Sequence, residues 1–438
     1  MTPQEILALS EPLEAVYTDV TTQLIENMCK HLGTGKELAL QEWQIKKLAE
    51  LNKLTDESVN ILAAMTGRKN EEIRKAIAGA LSIEVKDVEK VLSGAVKAGV
   101  LTDIGISVEQ SEGLRALMEG LVNQAEDKTN LVNTTMLNST RERYLWAVNN
   151  TVNEERLFIE KNLGATDIAG VNAQLGKAQE KLNTAAGTVM SGAEARTQAL
   201  SRTVRQLANE GITGFIDSAG RKWSPEGYVN MEIRTTVHNA AIEAQKTRAG
   251  EYGIDTFQIS THAGARPRCA PYQGWICSWS GGGFEIEDLH GNTYPVHDIN
   301  ETSYGEAAGI FGINCGHRPE TFVPGYSIPR YEPTKNEAEN EREYKESQEQ
   351  RYLERKVRSA KQEAIAQDAA GNTEAFNKAA QKVKKTTAEY KEYCREKGRT
   401  PRNDRLQVYS SPSGKEYKGS VSSKVTWANK KNEKGAKK

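Results

Sequence analysis

The fold of the middle of the chain is decided at residues 256–269, which read TFQISTHAGARPRC. The first five residues alternate between polar and apolar side chains, which predicts a β-strand. Gly, Pro and Arg residues then end the alternation, and His262 and Cys269 lie in the segment that follows. The sequence therefore places one histidine and one cysteine just beyond the end of a strand.

A second pair of the same residue types lies at residues 314–319, which read NCGHRP. In an extended Cys-Gly-His segment, Cys315 and His317 point to the same side because side chains alternate. Gly316 also allows the backbone to approach an ion closely. Two cysteines and two histidines can complete the tetrahedral shell of Zn²⁺. The pattern predicts a zinc site with four ligands, namely His262, Cys269, Cys315 and His317.

The spacing matches no standard zinc finger, and an interpretation without metal stays open. In it, the histidines are hydrogen-bonded inside the core and the cysteines pack as small apolar residues. Cys277 is either a spare ligand or a packed thiol, and His238 either reaches the cluster or belongs to the core or surface of its helix. His290 and His297 flank a Gly-Asn pair and a proline, which predicts that both are turn residues.

Residues 1–161 are predicted to form a helical N-terminal domain, followed by a helical connector at 162–210. The apolar residues of segment 84–98 recur at spacings of three and four, which puts them on one helix face: Val85, Val88, Leu92 and Ala95. Helix ends are expected at Gly33 with Gly35, at Gly67, and at Gly105 with Ser107.

Residues 211–330 are predicted to form a small α+β domain, with a helix at about 226–250 and strands at 256–260, 274–279 and 284–287. The buried stripe of the helix is expected to contain Tyr228, Met231, Val237, Ala241 and Ile242, and the aromatic core Tyr272, Trp275 and Trp279.

Residues 331–400 are charged and predict long helices with a turn at Gly371, and 401–438 predict a polar basic tail that joins no core. The expected fold class is therefore multi-domain. It combines a mainly α-helical N-terminal region, a small Cys/His-rich α+β middle domain, and long charged C-terminal helices with a disordered basic tail.

The net charge of −1 conceals an asymmetry, because residues 331–438 hold 26 Lys and Arg against 17 Asp and Glu. Residues 331–438 therefore carry +9 and residues 1–330 carry −10. Such a basic end predicts either an anionic partner or a solvated helical surface.

Five scattered cysteines indicate a reducing compartment. The acidic residues near the start argue against a secretory signal, and no apolar run is long enough to predict a transmembrane helix.

The order of motifs in 226–325 resembles the phage minor capsid protein 2 family, which is related to Mu-type head-morphogenesis proteins. The charged helix from Gln350 to Cys394 is also similar, so that about half of the chain is covered. The matching stretches in the middle domain are RTTVHNAA at 234–241, ISTH at 259–262, GARP at 264–267, QGWI at 273–276, YG at 304–305, GI at 309–310 and NCGH at 314–317.

The resemblance implies a low-copy head protein inside the capsid, bound at the portal vertex and acting in head assembly, DNA packaging or DNA delivery. Its implied partners are the portal protein, the major capsid protein, and packaged DNA through the basic tail. The implied locations are the virion and, during assembly, the host cytoplasm. The family would have histidine at position 269, where this chain has Cys269. That exchange keeps a metal ligand but would change a catalytic base, which favours the metal interpretation.

The sequence leaves two other classes of function open. One is an enzyme delivered with the phage DNA, either a metal-dependent nuclease or an ADP-ribosyltransferase-like effector. Ser260-Thr261 at a strand end and Glu285-Ile286-Glu287 faintly resemble transferase elements, but their short separation and the lack of an arginine-bearing strand argue against it. Four protein ligands would also close a catalytic zinc to water. The other class is a cellular DNA-binding protein, which the acidic body and the lack of a recognition-helix motif disfavour.

Overall fold

The computed structural model describes residues 3–163, 192–218, 220–334 and 336–408. Long helices dominate these ranges, as the sequence predicts. The connector expected at 162–210 lies partly outside the described residues, and the basic tail lies mostly outside them. The described α-helices are α1 (Pro3–Leu32), α2 (Leu40–Ala49), α3 (Leu51–Lys97), α4 (Glu112–Leu163), α5 (Gly192–Glu210), α6 (Pro225–Glu251), α7 (Glu337–Ala369) and α8 (Thr373–Glu396).

The described strands form two separate sheets, namely a five-stranded sheet and a small hairpin of β1 (Phe215–Ile216) and β2 (Lys222–Trp223). The strand order in the sheet is β5-β6-β4-β3-β7. The β4–β6 pair is parallel and the other neighbours are antiparallel. The five strands are β3 (Thr256–Ile259), β4 (Ile276–Ser278), β5 (Phe284–Glu287), β6 (Thr293–Asp298) and β7 (Pro319–Thr321).

The chain divides into two compact units, each assembled from three segments. Unit 1 contains residues 1–14, 67–131 and 227–349, and unit 2 contains residues 15–66, 132–226 and 350–438. Several boundaries fall inside helices, including α3 and α4. Segments distant in sequence thus share a unit, while the domain ranges expected from sequence remain a prediction.

The core of unit 1 is built around the sheet. One hydrophobic cluster joins Ile242 of α6 to Phe257 and Ile259 of β3, together with three cysteines. A second cluster contains Val88, Leu92 and Ala95 of α3. The predicted stripe of segment 84–98 is thereby confirmed, since its four apolar residues are all buried.

The core of unit 2 includes the packed faces of α7 and α8, with Gly371 at the predicted turn between them. Leu406 and Val408 are buried in these clusters, and the Thr22 hydroxyl donates a hydrogen bond of 2.7 Å to the Val408 carbonyl. The expectation that the segment from 401 joins no core is therefore wrong for residues 401–408. Two apolar side chains suffice for burial there, without any periodic pattern.

Other expectations from sequence also need correction. Gly67 lies inside α3 instead of ending a helix, because an exposed helical glycine costs only about 1 kcal/mol. Every residue of β3 is buried, since α6 and the segment after β7 leave neither face to solvent. In α6, Met231 is only partly buried, whereas Val229 and Ile233 are fully buried. Strands β6 and β7 were not predicted.

None of the helices in the described ranges combines the length and apolar character needed to cross a membrane.

We expect Asn372→Ala to destabilise unit 2 by about 1 kcal/mol. The Asn372 side chain is the N-cap of α8 and accepts a hydrogen bond of 3.1 Å from the Ala375 backbone N–H. Alanine would leave that donor unpaired at the start of the helix. Thermal unfolding checks this, with the exposed neighbour Thr373→Ala as control. An equal loss in both variants would contradict the role of the cap.

Candidate functional site

The four predicted ligands converge because β3 and β7 are antiparallel neighbours. Ile259 pairs with Pro319, and the Ser260 backbone N–H donates to the Arg318 carbonyl at 3.0 Å. Residues just after β3 therefore lie beside residues just before β7. This pairing brings His262 next to His317, with ring centroids 4.3 Å apart.

Three of the predicted ligands form one buried group. One ligand atom from each of Cys269, Cys315 and His317 lies within 4.8 Å of the other two. The Cys315 Sγ is 3.3 Å from the His317 Nδ1. This is the only group of three or more His, Cys, Asp or Glu residues with metal-ligating spacing in the part of the chain that the structure describes.

The two thiols of the group are electrostatically unequal. The adjacent Cys269 thiol holds the pKa of Cys315 well below its usual value, and the neighbouring His317 adds to this effect. The interaction with Cys315, together with burial, raises the pKa of Cys269. Cys315 is thus the residue better prepared to be a thiolate, the form that binds metals.

The two histidine rings each use one nitrogen on an oxygen of the protein. His317 Nε2 lies 3.0 Å from the Gln273 Oε1, and His262 Nδ1 lies 3.1 Å from the Ala263 carbonyl oxygen. The remaining nitrogen of His262, Nε2, is buried and has no hydrogen-bond partner. Burial also lowers the pKa of His262, which favours the neutral imidazole.

Gln273 is a site residue that sequence reasoning did not single out as functional. Its Oε1 also accepts a 2.7 Å hydrogen bond from the His262 backbone N–H. One buried amide oxygen therefore positions both His262 and His317. The only signal in the sequence was its place in the QGWI stretch of the resemblance.

His238 contacts the cluster through the backbone of His317. Its Nε2 lies 2.6 Å from the His317 carbonyl oxygen, and burial lowers the pKa of its ring. The imidazole is therefore a neutral support behind His317. Of the alternatives left open by the sequence, the core position is the observed one.

The other candidates lie elsewhere. Cys277 is a buried thiol in β4 and does not belong to the metal-spaced group. His290 lies in a turn, as predicted. The turn prediction for His297 is wrong, because this residue lies in β6 opposite Cys277 and stacks on Trp275 at 4.0 Å between ring centroids.

The segment before Cys315 is held in an unusual conformation. Phe311 and Asn314 have positive φ angles of 58° and 54°. Asparagine tolerates this region, whereas a phenylalanine there costs energy that packing must offset. Phe311 supplies that packing, since its ring contacts the rings of Phe257, Trp279 and Tyr304. The aromatic core expected around Trp275 and Trp279 therefore also supports the Cys315 segment.

Comparisons with known proteins identify a family and two relatives that this chain resembles. The family model described as "Phage minor capsid protein 2" matches residues 1–156 and 165–395. A structural protein of Lactococcus phage LL-H is 29% identical over 299 residues, covering 67% of this chain and 76% of that protein. A structural protein of Lactococcus phage mv4 is 41% identical over 80 residues, covering 18% of this chain and 63% of that protein. No solved structure matches.

Proposed function

Because the chain belongs to the phage minor capsid protein 2 family, we propose that it binds at the portal vertex inside the phage head. There it acts in head assembly, DNA packaging or DNA delivery. Its place among the structural components of the virion follows from the family, whose model matches most of the chain. The family match carries the proposal, and the two relatives described as structural proteins support it.

The proposed partner is the portal protein, with the major capsid protein as a second contact. A low copy number fits a binding site at one special vertex, since a shell-wide site would be repeated over the whole capsid. The family's description as a minor capsid protein supports the low copy number. The resemblance to Mu-type head-morphogenesis proteins supports the portal vertex.

We expect chemical crosslinking of intact particles to join lysines of this chain mainly to the portal protein. The many exposed lysines of the described helices supply reactive groups, for example Lys75, Lys90 and Lys378. Mass spectrometry of the crosslinked peptides identifies the partner. Purified portal mixed with this protein serves as the control for direct contact. Crosslinks to the shell protein alone would contradict the proposed location.

A third proposed contact is between packaged DNA and the basic residues 409–438. Residues 409–438 hold eight lysines against two glutamates. Each phosphate that a lysine neutralises releases condensed counterions, which makes such binding salt-dependent and independent of sequence. With six lysines from Lys424 onward, a contribution of a few phosphate contacts is expected.

We expect removal of residues 409–438 to weaken DNA binding and to reduce its salt dependence. Loss of three phosphate contacts would lower the slope of log affinity against log salt by about 3. Gel-shift titrations at several salt concentrations measure both quantities. The cut is placed after Val408 because that residue is buried in the core. A full-length variant with the six lysines changed to glutamine is the matched control, and unchanged DNA affinity in both proteins would remove DNA from the proposal.

The proposed role is structural and not enzymatic. For a nuclease, the metal-spaced group within the described residues contains two thiols and an imidazole, and with His262 as a fourth ligand it would leave a bound ion no open position for water. For a transferase, β6 and β4 separate β3 from β5. Glu285-Ile286-Glu287 therefore lie on a strand about 14 Å from the strand that Ser260-Thr261 follow. These two arrangements support the structural role over the nuclease and transferase alternatives.

A further inference from the structure

We propose that the protein binds one structural Zn²⁺ through Cys269, Cys315, His317 and His262, and that Gln273 positions both histidines. This assignment is independent of where the protein sits in the particle. It concerns the stability of unit 1, in which all five residues lie.

The spacing of the ligand atoms fits a tetrahedral zinc shell. Zn–S bonds of about 2.3 Å and Zn–N bonds of about 2.0–2.1 Å place neighbouring ligand atoms roughly 3.3–3.8 Å apart. The Cys315 Sγ and His317 Nδ1 are 3.3 Å apart, and the Cys269 sulfur lies within 4.8 Å of the Cys315 sulfur and of a ring nitrogen of His317. Shifts of side chains by less than about 1.5 Å would therefore seat an ion among these three atoms.

The nitrogens left over by the hydrogen bonds are the ones that zinc needs. A metal-bound histidine usually donates its other ring N–H to a carboxylate or carbonyl oxygen. His317 has that arrangement with Gln273, which leaves Nδ1 facing Cys315. His262 has it with the Ala263 carbonyl, which leaves Nε2 with a lone pair, buried and without a partner. A buried polar atom without a partner is costly, and a bond to zinc would remove that cost.

A site without metal explains these features less well. Packing and hydrogen bonding account for the buried thiols, but they leave the His262 Nε2 unpartnered. In a disulfide between Cys269 and Cys315, no role would remain for that nitrogen or for the Nδ1 of His317. Zinc uses all four groups at once.

The position of the site also gives zinc a structural purpose. Cys269 and Cys315 bracket the segment 270–314, which contains β4, β5 and β6. An ion bound by ligands on both sides of this segment would close it into a loop and restrict the conformations of the unfolded chain. With four protein ligands the shell has no open position for water, as in structural zinc sites.

The first test measures metal in the full-length protein produced with added zinc. We expect about one zinc per chain after extensive dialysis, and a marked fall in melting temperature with a chelator. Replacement by Co²⁺ should give absorption bands of a tetrahedral ion with thiolate ligands. Well-folded protein without stoichiometric zinc or a cobalt spectrum would overturn the proposal, as would a Cys269–Cys315 disulfide found by mass spectrometry under reducing production conditions.

Variants test the assigned ligands. We expect Cys315→Ala to lose zinc, whereas Cys277→Ala keeps it, since Cys277 is buried in the same hydrophobic cluster but lies outside the metal-spaced group. If Cys315→Ala fails to fold, the half-buried His262 provides the decisive variant. His262→Ala should fold, bind zinc at least tenfold more weakly and change the cobalt spectrum. Unchanged zinc affinity and an unchanged cobalt spectrum would overturn the assignment of His262 as the fourth ligand.

Gln273 is tested as a positioning residue. Losing such a support usually weakens metal affinity by about 10- to 100-fold. We expect that loss for Gln273→Ala, and recovery of most of the affinity in Gln273→Glu, which keeps the accepting oxygen. A purely structural role would predict that Gln273→Ala and Gln273→Glu lower the melting temperature equally and leave zinc affinity unchanged. That result would remove Gln273 from the assignment.

Discussion

Arg196→Met is expected to lower the free energy of unfolding of unit 2 by about 3–5 kcal/mol, because it leaves a buried carboxylate without its partner. Arg196 and Glu155 are 2% and 0% exposed, and the Arg196 Nε donates to a Glu155 carboxylate oxygen at 2.9 Å. The guanidinium also donates to the Lys36 and Leu38 carbonyls. Burial raises the pKa of Glu155, and Arg196 opposes this shift. Urea unfolding followed by helical circular dichroism measures the loss.

The chain supplies a matched control for this prediction. Arg202 and Glu154 form an ion pair of 3.0 Å between the same two helices, but the Arg202 side chain is 54% exposed. Solvent screens such a pair, and Arg202→Met should change stability by less than about 1 kcal/mol. The double variant Arg196→Met/Glu155→Leu should recover much of the lost stability, since no unpaired charge remains buried. Equal losses for Arg196→Met and Arg202→Met would contradict this account.

Gly309→Ala is expected to destabilise unit 1 by about 3 kcal/mol, at the upper end of the usual range for overpacking. A Cβ atom at this position would meet the Ser303 carbonyl oxygen at 1.8 Å, so that the backbone would have to move. Ser303 is itself fixed, because its hydroxyl donates to the Arg268 carbonyl at 2.7 Å and accepts from the Ile310 N–H at 3.0 Å. The melting temperature of the full-length protein measures the effect.

The control for Gly309 is a glycine of the same unit with free space around it. Gly250 is an exposed residue of α6, and nothing lies within 4 Å of a Cβ added there. Gly250→Ala should stabilise the helix by roughly 0.5–1 kcal/mol, because alanine loses less backbone entropy on folding. A stabilising Gly309→Ala would show that the segment 303–309 is packed differently.

The sequence predicts elements whose signal is local. The stripe of segment 84–98 is buried, the helices on either side of Gly371 are present, and the helix expected at about 226–250 runs from Pro225 to Glu251. Each of these depends on residues within a few turns of one another, where hydrophobic periodicity is informative.

Features that depend on contacts between residues distant in sequence could not be predicted. The assembly of each unit from three separated segments depends on packing between elements that are distant in sequence, which periodicity does not report. The three residues of β7 carry no alternating signal and become a strand only by pairing with β3. His297 likewise belongs to a strand through a parallel pairing with β4, whose crossover is invisible locally.

The candidate site was predictable in part for the same reason. Cys and His are recognisable as ligand types, and their two pairs flank strands that proved to be neighbours. Gln273 was not recognisable, since an amide gains its role only from the two histidines around it. The buried Arg196–Glu155 pair gave no signal either, because most such residues lie on the surface.

The central claim, that this chain is a minor structural protein of the phage head, is tested most directly by quantitative mass spectrometry of purified mature particles. The account predicts that its peptides are present at far fewer copies than those of the major capsid protein and at a constant ratio to the portal protein. Absence from particles, or a copy number equal to that of the shell protein, would contradict it.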